Sequence, residues 1–316
     1  MAHGTALVLG TSRLGTDVAH ALAATGAFAR VVTAGTMPPA VRNRHRRIDF
    51  LDRGAPRRLA AVLADVAPDA IVQLALSESP LTPVREGRHD AAVAATVSTG
   101  VRLFRERGGD LRRMVALSST AVYGLARSSP LLFDERYTVG TGGRADHRFD
   151  GGEVDTASLY GRWVRDLREY EALLAKLAED TGMRLVVLRA AYISAGPGSN
   201  PIVEYLAAPL PVRVLGHDPP VQVVHYDDLV ETILRAAEER VSGTINVVAR
   251  GAVPITRLGA LAGRYMLPLP HSLARLVAPE VLGVDPLCSR CVADGSRAVQ
   301  LLGFQPRRSA EEALGG

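Results

Sequence analysis

A mostly parallel α/β sheet with helices on both faces is the fold class this chain predicts. Three observations carry the expectation. Short apolar runs of strand length alternate with longer stretches of helical periodicity. A turn bounded by Gly10 and Gly15 joins the first such run to the first helical stretch. The 316 residues, 47% of them hydrophobic, suffice for a large core and leave chain over for a smaller lobe.

Thr5–Gly10 reads as a fully buried strand, because its run of Ala, Leu and Val has no polar face. The turn Gly10–Gly15 follows, and then a helical pattern through Val18, Leu22 and Ala23. Further buried strands are expected at Ala29–Thr33, Ile71–Ala75, Met114–Ser118 and Leu185–Arg189. Helical periodicity fills 55–66, 88–107 and 159–180 between them, which is the βαβα order of a parallel sheet. Beyond Arg189 the pattern loosens. Extended runs are expected at Val212–Leu215, Gln222–His225 and Thr244–Val248, helices at 227–239 and 256–263, and a Pro-rich stretch at Leu267–Pro270. Residues 126–156, rich in glycine and polar side chains, read as a long loop or flap. The expected division is 1–190 for the main domain and 191–316 for the lobe, with 221–248 returning to the main domain.

Composition removes several function classes. No window approaches the roughly 18 apolar residues of a membrane span, and the N-terminus opens a strand, so a cytoplasmic chain with no membrane partner is expected. The net charge of +4 is spread along the sequence, without the concentrated basic footprint of a nucleic-acid binder. Cys288-Ser289-Arg290-Cys291 has no other cysteine to complete a thiolate set, so packing thiols and no metal are expected. Of 37 basic residues only Lys176 is a lysine.

The segment Gly10-Thr11-Ser12-Arg13-Leu14-Gly15 stands where a first strand feeds a first helix. Glycine there lets backbone N–H groups approach a pyrophosphate at the helix N-terminus, although a simple βα turn would also use it. The middle glycine of the three-glycine fingerprint is missing. The second strand, Val31-Val32-Thr33-Ala34-Gly35, carries no carboxylate for an adenosine ribose. Arg42-Asn43-Arg44-His45-Arg46-Arg47 reads either as guanidinium groups for the 2′-phosphate of NADP or as a solvated loop. Asp49 reads either as a partner for an adenine amino group or as the cap of helix 55–66. NAD, NADP and no cofactor all stay open.

Ser118-Ser119-Thr120-Ala121-Val122-Tyr123-Gly124, directly after a buried strand, resembles a motif of the extended short-chain dehydrogenase/reductase family, which includes NAD-dependent nucleotide-sugar epimerases and dehydratases. Gly10–Gly15, Asp49, Leu74-Ala75, Leu188-Arg189, Val224-His225-Tyr226-Asp227-Asp228, Ile245-Asn246-Val247 and Leu302-Gly303-Phe304-Gln305-Pro306 extend the resemblance over nearly the whole chain. It implies a Rossmann-like doubly wound parallel sheet with a smaller C-terminal substrate lobe. It implies a cofactor lying against Gly10, Thr11, Ser12, Arg13, Leu14, Gly15, Asp49, Phe50, Leu74 and Ala75. Ser119 would orient a substrate oxygen, Tyr160 would exchange its proton, and a homodimer through paired helices is compatible with segment 159–180. His225, of neutral-range pKa, is a further candidate base if it faces the cleft.

One departure is plain. The family places a lysine four residues after the tyrosine, and Tyr160-Gly161-Arg162-Trp163-Val164 has valine there. Lys176 lies sixteen positions beyond Tyr160, about 24 Å along a continuous helix. A shifted register puts Trp163 and Leu167 in the two places instead. Tyr160, Trp163, Val164, Leu167, Tyr170 and Leu174 also form a packing stripe. An unperturbed phenol titrates near 10, and each unit of lost depression costs about tenfold in phenolate. The expected function is an NAD(P)-dependent oxidoreductase or epimerase acting on a small alcohol, ketone or nucleotide-sugar-like substrate. The alternatives are a non-redox isomerisation, elimination or cyclisation, or a non-catalytic binding role.

Overall fold

The computed structural model describes residues 4–37, 44–76, 89–124, 132–136, 159–194, 201–277 and 292–315. In chain order the first part runs β1 (Thr5–Leu9), α1 (Arg13–Thr25), β2 (Arg30–Gly35), β3 (His45–Arg47), α2 (Ala55–Val66), β4 (Ala70–Gln73), α3 (His89–Glu106), β5 (Arg113–Ser119), β6 (Leu132–Phe133), α4 (Leu159–Thr181) and β7 (Arg184–Ala190). The second part runs β8 (Tyr192–Ser194), α5 (Pro201–Ala207), β9 (Val212–Val214), β10 (Pro220–Val221), β11 (Val223–His225), α6 (Tyr226–Glu238) and β12 (Gly243–Val247). It closes with β13 (Val253–Pro254), α7 (Ile255–Leu261), β14 (Leu267–Leu269), α8 (His271–Val277), β15 (Val292–Ala293), α9 (Ser296–Leu302) and α10 (Ala310–Gly315).

Seven strands form one sheet in the order β12-β7-β5-β4-β1-β2-β3. Every pairing in it is parallel. The order reverses between β1 and β4, and at such a reversal the loops leaving the carboxyl ends part to open a crevice. One face is covered by α1, α6 and α9, whose Leu22, Leu229, Ile233 and Leu302 meet Val8, Val115 and Ile245 of the sheet. On the other face α2, α3 and the second half of α4 bring Leu59, Val97, Tyr170 and Leu174 onto Leu7, Ile71 and Met114. Burial on both faces is why the strands read as continuous apolar runs. A third cluster joins the first half of α4 to the smaller lobe, through Tyr160, Trp163, Tyr205, Val212 and Ile255.

The strands and helices expected from the periodicity are present with shifted ends, whereas α5, α8, α9 and α10 and the short strands β8, β10 and β13 were not expected. Gly10, Leu74 and Ala75 lie just past their strands, because the chain turns there over the sheet edge. The run 45–47, part of the segment read either as guanidinium groups for a 2′-phosphate or as a solvated loop, is strand β3. Its two arginines and histidine have no apolar alternation; it is held by the β2 ladder, by a Thr33 hydroxyl to His45 Nδ1 contact of 3.0 Å, and by the Arg46–Asp65 ion pair. The Pro-rich 267–269 run pairs with β9. Of the expected long loop, Leu132–Phe133 pairs with β15, while most of the rest lies outside the described residues, as do Arg42, Cys288 and Cys291. Among the described residues no helix is long and apolar enough to cross a membrane, and no His/Cys/Asp/Glu cluster suits a metal.

Candidate active site

The turn from β1 to α1 is built by exclusion of side chains. Gly10 has φ 101°, a region L residues avoid, and its N–H donates to the Ala34 carbonyl at 2.8 Å. A Cβ on Gly10 would stand 2.6 Å from the Ala75 nitrogen, so Leu74 and Ala75 form one wall of the turn. A Cβ on Gly15 would run into the Gly10 carbonyl, and one on Gly35 into the Thr11 hydroxyl. The Thr11 hydroxyl also accepts the Met37 N–H at 3.2 Å, tying the turn to the exit of β2. Ser12 stands at the N-cap of α1 without a side-chain capping bond. The first N–H groups of α1 have no intrahelical partner and point along the axis to the sheet's carboxyl edge, which suits a pyrophosphate. Ser12 and Arg13 are exposed at that edge, while Leu14 and Gly15 are buried beneath it.

Asp49 is exposed, and its Oδ1 accepts the Leu51 N–H at 3.0 Å in a local turn. It does not cap α2. Asp52 does the work there, accepting the Gly54 N–H on Oδ1 and the Ala55 N–H on its carbonyl. Sequence spacing could not separate two aspartates of equal capping chemistry. Phe50 is buried in the core, and its carbonyl accepts the Thr96 hydroxyl at 2.8 Å.

Ser119 ends β5 half-buried, its Oγ accepting the Ala121 N–H at 3.2 Å at the head of a 3-10 turn over Thr120–Tyr123. Tyr160 lies in the first turn of α4, 5% exposed, with its ring edge-on to Trp163 at 5.9 Å. Tyr160 and Trp163 belong to one apolar cluster with Ala121, Val122, Tyr123 and Leu167. Val164, four residues after Tyr160, is fully buried in that cluster, and Lys176 is exposed much further along α4. His225 is the N-cap of α6. Its Nδ1 meets the Asp227 N–H at 3.2 Å and the Arg308 guanidinium at 2.7 Å. Two donors on Nδ1 leave a neutral ring its proton on Nε2.

Behind Ser119 runs a polar row that no local pattern announced. Strand register sets Ser118 beside Arg189 and Arg189 beside Asn246, one residue from each of three adjacent strands. Glu171 of α4 accepts the Ser118 hydroxyl at 2.5 Å and the Arg189 guanidinium in bidentate fashion, at 2.7 Å for the closest pair. That guanidinium also lies 4.8 Å over the Tyr123 ring. Burial would lower the Arg189 pKa, but the charge and hydrogen bonds of Glu171 outweigh it and raise it. Tyr123 donates to Asn246 Oδ1 at 2.7 Å, and burial pushes its phenol up to about 12 despite Arg189. Tyr123 therefore stays protonated as a strut between the turn that follows β5 and strand β12.

A second polar cluster sits at the start of α3. Asp166 of α4 accepts the N–H groups of Asp90 and Ala91 at 2.8 and 3.0 Å, and His89 contacts Asp90 at 2.8 Å. Burial raises the Asp166 carboxyl from its ordinary 3.8 to about 6, partly countered by those two N–H donors. Burial lowers His89, yet the Asp90 hydrogen bond and the surrounding carboxylates raise it overall. Between 3.8 and about 6 the folded chain holds a proton on Asp166 that the unfolded chain releases. Stability from this group is therefore greatest at low pH and is lost as pH rises through that window. Carbon-detected NMR of the Asp166 carboxyl should show a midpoint near 6. The midpoint should rise further in His89→Gln, which removes a nearby cation.

The sequence model of the NAD dependent epimerase/dehydratase family matches residues 6–249. The uncharacterized protein Rv0501 of Mycobacterium tuberculosis is 26% identical over 269 residues, 81% of this chain, and the chain spans 66% of that relative's length. Solved structures share the fold at lower identity. The UDP-glucuronic acid 4-epimerase of Bacillus cereus, in complex with NAD, superposes with a TM-score of 0.66 at 16% identity, covering 98% of this chain and 96% of its own. The enzyme WbmG of Bordetella bronchiseptica, also with NAD, gives 0.67 at 15% identity over 99% and 92%. The UDP-glucose 4-epimerase of Thermotoga maritima, with UDP-glucose, gives 0.65 at 19% over 98% and 96%. With the glycine turn, the Ser118–Gly124 passage and the sheet order all in one frame, the match over 6–249 places this chain in the NAD dependent epimerase/dehydratase family.

Proposed function

We propose that the chain binds a nicotinamide dinucleotide across the β1–α1 turn and acts on a nucleotide-sugar-like alcohol or ketone in the crevice beside it. The observation that carries this reading is the turn itself, where Gly10, Gly15 and Gly35 close-pack the backbone while the uncapped start of α1 faces outward. The N–H groups of Ser12, Arg13 and Leu14 hold the pyrophosphate, Leu74 and Ala75 wall the turn, and Asp49 lies toward the adenine. The bound nicotinamide supplies hydride chemistry. Ser119 keeps its hydroxyl hydrogen free to donate, because its oxygen is the acceptor for Ala121, and it orients the substrate oxygen. Relatives of the same fold solved with NAD and with UDP-sugars support the substrate class.

Proton exchange in this site works without an ammonium beside Tyr160, since Val164 fills that place. This favours a second reading in which the Tyr160 phenol packs against Trp163 and the site runs a hydride-free isomerisation or elimination. NADH and NADPH separate binding from its absence. At a hundredfold excess over Kd, dinucleotide should stabilise the fold by about 2.7 kcal/mol and raise the melting temperature by a few degrees. Equal insensitivity to both at millimolar concentration would remove the cofactor reading. Turnover of UDP-glucose and UDP-glucuronic acid, followed by chromatography, should then fall strongly in Ser119→Ala. Unchanged turnover in Tyr160→Phe would show that this hydroxyl does not run the proton transfer.

A further inference from the structure

The crevice at the end of β2 lacks the group that would bond a free ribose. Among the described residues from Thr33 to Met37 there is no carboxylate, and at Gly35 a side chain has no room because Thr11 lies against its α-carbon. Asp49, further along, is engaged with the Leu51 N–H. An acid able to accept the two ribose hydroxyls is thus missing from the β2 exit.

Cations flank the same place. The ladder between β2 and β3 sets Gly35 level with Arg47 and Ala34 level with Arg46. Side chains alternate along a strand, so His45 and Arg47 share one face and Arg46 the other. The contacts fix which face is which. Arg46 reaches Asp65 of α2 at 2.6 Å, and His45 meets the Thr33 hydroxyl on the opposite side. Arg47 therefore projects on the α1 side, beside the side-chain-free Gly35 and the Thr11 turn. It is exposed, and among the described residues its side chain makes no hydrogen bond or ion pair. Arg13, inside the turn, is 70% exposed and only loosely paired to Asp17 at 3.5 Å. A surface pair of that kind holds its partners weakly.

We infer that this ribose end accepts a 2′-phosphate, so that the chain takes NADP(H) in preference to NAD(H), with Arg47 and Arg13 as the recognising charges. A guanidinium matches a phosphate in bidentate geometry, and a bare ribose offers it nothing equivalent. The inference rests on the reading that the β1–α1 turn holds a dinucleotide, and the test separates the two. Calorimetric titration of the full chain with NADPH and NADH should give roughly tenfold or greater preference for NADPH. The fragment 2′,5′-ADP should compete where 5′-ADP does not. Arg47→Ala should lower the NADPH-to-NADH affinity ratio by roughly tenfold, and Arg47→Glu should lower it further. Unliganded melting temperatures show that each variant is folded. NADH binding as tightly as NADPH, with a ratio indifferent to Arg47, would overturn the inference and leave the dinucleotide site standing. Failure of both nucleotides to bind would overturn the site and the inference together.

Discussion

Replacing Arg189 by alanine should destabilise the fold by about 3–5 kcal/mol in urea denaturation, the cost of stranding the other half of a buried ion pair. Arg189 and Glu171 side chains are only 7% and 13% exposed, so water cannot solvate the carboxylate left behind. The Tyr123 ring loses its cation, and the Ser118 hydroxyl is left as the lone partner of a buried charge. Glu171→Ala should cost a similar amount for the mirrored reason. The double replacement Glu171→Ala with Arg189→Ala should cost much less than the two single changes added together, because no charge is then stranded. Additive costs in that cycle would mean that the pair is not coupled as its geometry indicates. Ser119 stands one residue from this network, so the single variants should also weaken any turnover measured at limiting substrate.

Gly15→Ala should abolish the dinucleotide-dependent rise in melting temperature. The added methyl would occupy the position of the Gly10 carbonyl, so either α1 or the end of β1 must move. Overpacking of this type costs about 1–3 kcal/mol in stability alone. The displacement also turns the N–H groups of α1 away from their common focus. Gly26→Ala is the control. Gly26 ends α1 at φ 70° with open space around it, so alanine there incurs only a backbone penalty of about 1–2 kcal/mol. The control should melt lower yet respond to dinucleotide as the unaltered chain does. A full response in Gly15→Ala would remove the turn as the pyrophosphate site.

How much of this was legible follows from the range of each interaction. β1, β4, β5 and β7 are apolar on both faces, and such runs declare themselves without knowledge of neighbours. β3 did not, since His45-Arg46-Arg47 is held by a ladder and by Asp65, far along the chain. Ser118, Arg189 and Asn246 were visible as separate motif members, but their alignment in one row depends on register, which only strand pairing sets. Asp166 left no signal at all: it serves N–H groups more than seventy residues earlier in the chain, and its spacing within α4 reads as an ordinary helical polar position. The absence of any lysine between Tyr160 and Lys176 was legible outright, because an uncharged side chain needs no context to be recognised as one.

One edge strand of the sheet, β12, arrives more than fifty residues after its neighbour β7 and is stapled to the rest by the Tyr123–Asn246 hydrogen bond. Any fragment cut near residue 190 would present β7 as a bare apolar rim of unpaired amides, inviting self-association. On the ribosome the same geometry means that the nascent amino-terminal part waits, incomplete at one margin, until residues 243–247 emerge to seal it.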